Sequence, residues 1–143
     1  MNTNNENPSV GRSFQDLTAE LLSAYYNVSF ISEMAINIGN PPKAKRFDLV
    51  ANDMSIAVEC KCYAWTKEGN TPSAKMATLN EAILYFKVMQ QVSRKVIAMS
   101  KATHERKRET LAEYYLRTYN YLLEGITLIE IDTDTKAIRV LRD

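Results

Sequence analysis

Residues 46–63 read RFDLVANDMSIAVECKCY, and the parsing of this stretch decides the fold. Ile56, Val58, Cys60 and Cys62 alternate with Ala57, Glu59 and Lys61, and a period of two is the mark of a strand whose side chains point alternately to its two faces. Asn52-Asp53 supply turn residues ahead of it, and Arg46–Ala51 reads as the preceding strand. Joined by so short a turn, the two strands pair, and Asp48 can approach Glu59 across the ladder. Glu59 and Lys61 share one face of their strand and the two cysteines take the other. Two carboxylates and an ammonium then converge within an apolar sheet. Burying them costs several kcal/mol per ion unless partners or a metal compensate.

Working outward, Val28–Ile38 reads as a strand ahead of these two, with Gly39-Asn40-Pro41-Pro42 as the connection. Upstream, Phe14, Leu17, Leu21, Leu22 and Tyr25 recur at helical spacing over Ser13–Tyr26, with Ser13 as the expected N-cap. Downstream, a polar loop ends at Pro72-Ser73, where a second helix starts and runs to about Gln91 through Met76, Leu79, Ile83 and Phe86. Lys95–Ser100 reads as a short buried strand, and strand, helix, strand in succession favours a right-handed crossover between parallel strands. A third helix is expected from about Thr103 through Leu111, Tyr115, Tyr119 and Leu122, with Gly125 as its stop. Ile126–Ile131 and Lys136–Leu141 close the chain as a hairpin. The order is αβββαβ followed by a helix and a hairpin, an α/β fold with a mixed sheet flanked by helices.

The chain has 143 residues, about the size of one domain, and the reading is a flexible tail over residues 1–10 and a single domain over 11–143. Its 18 basic and 17 acidic residues leave a net charge of +1, so an anionic partner would have to be met by a local patch. With no apolar run of membrane-spanning length and an Asn-rich, polar start, the expectation is a cytoplasmic protein without membrane contact. Cys60, Cys62 and the distant His104 lack the spacing of a zinc site and read as buried thiols and a residue at the start of a helix.

Asp48 and Glu59, with ten residues between them, and Lys61 two beyond, resemble the PD-(D/E)XK motif of restriction endonucleases and Holliday-junction resolvases. Gly11-Arg12-Ser13-Phe14-Gln15 resembles the G-x-x-F-E start of the first helix in the restriction-enzyme-like branch, with Gln15 at the usual glutamate position and Phe47 at the usual proline. The resemblance implies a restriction-endonuclease-like core over residues 11 to 100 and a metal-dependent endonuclease acting on nucleic acid, with DNA the expected substrate and a homodimer the expected assembly. Asp48, Glu59, Lys61 and Gln15 would be the catalytic set. Mg²⁺ or Mn²⁺ would be held by Asp48, Glu59 and the Cys60 backbone carbonyl, and at most one tight metal is expected because Gln15 adds no charge.

Lys43, Lys45 and Arg46, which lead into Asp48, and Trp65 and Lys67, on the loop that leaves the third strand, are the candidates for nucleic-acid contact. Covering of the sheet edge is an equal reading of Trp65. Lys101, Arg106, Lys107 and Arg108 form a second basic group, diluted by Glu105 and Glu109. The rival readings are an inactive nucleic-acid-binding protein of the same fold, which Gln15 favours, and an α/β assembly protein whose charges are structural.

Overall fold

The computed structural model describes residues 8–143. Its elements, in chain order, are α1 (Pro8–Tyr26), β1 (Phe30–Ile38), β2 (Lys43–Ala51), β3 (Ile56–Lys61), α2 (Ser73–Lys87), β4 (Arg94–Ser100), α3 (Leu111–Tyr119), a 3₁₀ turn (Asn120–Leu122), β5 (Ile126–Ile131) and β6 (Ile138–Arg142). The protein is thus α/β, with a six-stranded mixed sheet in the order β1-β2-β3-β4-β5-β6. The pairs β1–β2, β2–β3 and β5–β6 are antiparallel, and β3–β4 and β4–β5 are parallel.

Two consecutive crossovers step across the sheet in the same direction, and right-handed connections then place α2 and α3 on one face. The core follows that rule. Met76, Leu79, Ile83 and Phe86 of α2 and Leu111 and Tyr115 of α3 pack with Val50, Ala57, Ile97, Met99 and Leu128. On the other face Phe14 and Leu22 of α1 pack with Leu49, Val58, Val96, Ala98 and Ile129. The parallel strands, covered on both faces, are mostly buried, β5 along its entire length.

Several boundaries differ from those read in the sequence. Helix α1 starts at Pro8, with Ser13 inside it and not capping it; proline is preorganised for a first helical turn, where its missing N–H is not needed. Of the expected tail, residues 1–7 lie outside the described residues, and Ser9 and Val10 are helical. Helix α3 begins at Leu111 and not near Thr103. Thr110 and Glu113 form a reciprocal capping box there, which meets two otherwise unbonded amides. The start of β6 moves to Ile138, since Lys136 takes φ +63° in the turn before it. Cys60 and Cys62 are free thiols, half-buried against the α1 side of the sheet. No helix among the described residues is long and apolar enough to cross a membrane.

Candidate functional site

The β2–β3 ladder pairs Leu49 with Val58 and Val50 with Ala57. Continued by one pair, that register sets Asp48 opposite Glu59. The β1–β2 ladder is interrupted at the same place. Pairing runs on either side of Glu33 and Asp48 but omits both, and Glu33 takes φ +54°. Phe47 and Val50 both enter the core under α2, which strict alternation forbids for residues three apart, so β2 changes facing at Asp48. A local irregularity of this kind turns a side chain out of the regular pleat.

Released from the ladder, Asp48 Oδ2 accepts the Cys60 N–H at 2.8 Å. The N–H and C=O of one strand residue point to the same side, so the Cys60 carbonyl also faces the β2 side, beyond the last ladder pair. Glu59 is only 6% exposed, and its carboxyl lies against that of Asp48. Burial, proton sharing with the Asp48 carboxyl and the Asp48 charge push its pKa up to about 8, partly opposed by Lys61 and Lys45. Two carboxyls in contact cannot both ionise at low cost, and near neutrality the pair holds a proton.

The two lysines differ in placement. Lys61, half-buried at the end of β3, shares the Glu59 face. The Lys45 ammonium lies 3.7 Å from Glu59 Oε1 and donates to the Arg46 carbonyl at 2.7 Å. It also sits 4.9 Å from the Tyr85 ring centre and 5.2 Å from that of Phe47. Lys45, a candidate for phosphate contact in the sequence, thus stands at the carboxyl pair as the counter-ion of Glu59. Its alternate spacing with Phe47, two residues on, carried that information.

From the opposite face, Gln15 Nε2 donates to the Asp48 carbonyl at 3.2 Å, while Glu20 is exposed. Gln15 thus reaches the site, through the backbone of Asp48. Of the outer candidates, Lys43 and Lys67 are exposed, and Arg46 lies 3.9 Å from Glu33. Trp65 is half-buried against loop 101–110 and α3: it donates from Nε1 to the Ala102 carbonyl at 2.9 Å and meets His104 and Tyr114 edge-on.

His104, read in the sequence as the start of a helix, is instead a buried connector between two loops. Its Nδ1 accepts the N–H of both Arg106 and Lys107 at 3.0 Å. Nδ1 is therefore the unprotonated nitrogen, and Nε2–H donates to the Gly69 carbonyl at 2.8 Å. A second charged group missed in the sequence lies on β5 and β6, where Arg139 bridges buried Glu130 at 2.7 Å and Glu113 at 2.9 Å. Among the described residues no three His, Cys, Asp or Glu side chains converge as metal ligands. Comparison of the chain with protein-family models, with curated proteins and with solved structures finds no match in any of the three.

Proposed function

We propose that the protein is a metal-dependent phosphodiesterase of the PD-(D/E)XK type, cleaving nucleic acid, with DNA as the expected substrate. The observation that carries this reading is the carboxyl pair, with Glu59 buried against Asp48 and its pKa raised to about 8. A pair that keeps a proton by default exchanges it for a divalent cation at neutral pH. The element order through β4, and Asp48 and Glu59 on paired strands with Lys61 one alternation further, support a restriction-endonuclease-like core.

The donors suit a hard cation. Asp48, Glu59 and the Cys60 carbonyl would offer only oxygen donors to Mg²⁺ or Mn²⁺, cations that prefer oxygen and keep several waters. With two carboxylates and a neutral Gln15, the site suits one such ion. When bound, the metal supplies an acidified water and polarises the phosphoryl group. The chain's own residues do the rest. The Cys60 N–H holds the Asp48 carboxylate in place, Lys61 stabilises negative charge on the reacting phosphate, and Lys45 offsets Glu59 while the cation is absent.

Linearised and supercoiled DNA with Mg²⁺ or Mn²⁺ test the reading. Asp48→Ala, Glu59→Ala and Lys61→Ala should each lower cleavage by at least about a hundredfold, with the fold retained by circular dichroism. Wild-type rates from Lys61→Ala would end it.

The Lys45–Glu59 ion pair favours a second reading, in which the cluster is structural and balances itself. Melting separates the two. At roughly ten times the metal Kd, the nuclease site gains about 1.4 kcal/mol, on the order of 3 to 6 °C, and Glu59→Gln loses that gain. A self-balanced cluster shows no metal response in either protein.

A further inference from the structure

Loop 101–110 is a short arm rather than irregular chain. Leu111 N–H donates to the Ala102 carbonyl at 2.8 Å and His104 N–H to the Glu109 carbonyl at 3.0 Å, with a bridge between Thr103 and Thr110. The tip of the arm is Glu105-Arg106-Lys107-Arg108, and all four are exposed. It buries no apolar side chain, yet its position is fixed from behind by His104, which is 6% exposed and has both ring nitrogens engaged. The Trp65 indole and the Arg106 guanidinium, bonded to the Glu68 carbonyl at 3.2 Å, tie the arm to the loop that leaves β3. A solvated tip needs no such fixing for stability.

The acidic residues that dilute this group in the sequence do not all reach the tip. Glu109 is bonded to Arg117 at 2.9 and 3.0 Å, with Lys107 a weaker electrostatic neighbour, so Arg106, Lys107 and Arg108 still outweigh Glu105 at the tip. The arm follows β4, whose Met99 pairs with Lys61 of β3, so it rises from the carboxyl ends of the parallel strands, the edge where open α/β sheets place ligands.

We propose that this arm, with Lys67 on the neighbouring loop, is a preorganised surface for the sugar–phosphate backbone of a nucleic acid passing the carboxyl pair. Preorganisation is what the buried His104 contributes: cations already fixed lose less freedom when phosphates bind. The choice of ligand rests on the proposed phosphodiesterase reading.

Fluorescence anisotropy on a 20-base-pair duplex, in EDTA so that nothing is cut, tests the surface across a salt series. Lys107→Ser/Arg108→Ser changes only exposed side chains. It should weaken binding at least tenfold near 0.1 M salt and reduce the slope of log K against log salt by about 2. Lys87→Ser, at the end of α2 and beside Lys95 near the start of β4, should leave both unchanged. A wild-type slope in the double variant, equal loss in Lys87→Ser, or no binding by the wild type would each overturn the surface. So would displacement of the duplex by polyglutamate at equal charge, which would point to an acidic protein partner. Duplex binding through the arm without metal-dependent cleavage would sustain the surface and remove the phosphodiesterase reading. Cleavage with unchanged binding by the double variant would do the reverse.

Discussion

Replacing Glu59 with glutamine should make the metal-free protein more stable, by an amount that grows with pH. The carboxyl of Glu59 is pushed from 4.5 to about 8, chiefly by burial and then by Asp48. Between those values the native state holds a proton that the unfolded chain has released, so its stability falls as pH rises. The protonated pair gives its full contribution below about pH 4.5, and that contribution is lost on passing through about pH 8. One proton is worth about 1.4 kcal/mol per pH unit. Over the two units from pH 5 to 7 the wild type should therefore lose roughly 3 kcal/mol, on the order of 6 to 12 °C in Tm. Glutamine keeps the shape and the donor toward Asp48 but has no proton to lose. Other carboxyls work in the opposite sense: hydrogen bonds and charge hold those of Glu109, Glu113 and Asp143 below their ordinary values. The difference between variant and wild type cancels them. Thermal melts in EDTA at pH 5, 6, 7 and 8 should show curves that meet near pH 5 and diverge above it. Parallel curves would refute the buried carboxyl pair.

Three further outcomes follow from the described contacts. Gln15→Glu replaces the donor to the Asp48 carbonyl with an acceptor, so Tm in EDTA should fall by an amount equivalent to about 1 kcal/mol. Mn²⁺ should restore it more than it raises the wild type, and calorimetry should show tighter Mn²⁺ binding; weaker binding would place the side chain outside the metal's reach. Arg139→Ala leaves Glu130, 2% exposed and with one oxygen already lacking a hydrogen-bond partner, without its cation, and urea unfolding should show a loss of about 3 kcal/mol or more; a loss under 1 kcal/mol would show that solvent reaches Glu130. Gly69→Ala should loosen the joint between the loops, because Gly69 has φ +79° and an added Cβ would lie 3.0 Å from His104 Nε2. Amide exchange at Arg106 and Lys107 should accelerate, and unchanged protection would show that the arm holds itself.

The sheet and its layers were legible because their signals are local. Alternation in Ile56–Lys61 and helical spacing in Met76–Phe86 survive folding unchanged, since those periods are fixed by the backbone geometry of strand and helix. The approach of Asp48 to Glu59 was legible for the same reason, a short turn between two patterned strands. Legibility ended where a side chain's partner is set by tertiary structure. Lys45 next to Arg46 looks like a solvated pair, and only the approach of Tyr85 and Glu59 separates them. Thr103 looked helical because Leu111, Tyr115 and Tyr119 establish a period whose upstream limit was fixed by the Thr110–Glu113 box. The bonds of His104 to Gly69 and to its own loop leave no periodic trace at all.

The strand order in space repeats the strand order along the chain. Each new strand therefore docks on the one made just before it, and no later segment has to be threaded between two strands already paired. Sheet assembly can keep pace with synthesis, growing from the β1–β2 hairpin toward β6. Until β4 arrives, the open border of the growing sheet is β3, the strand that bears Glu59. A chain made only as far as β3 would present that strand's unpaired backbone groups at the border, where association with other chains is easiest.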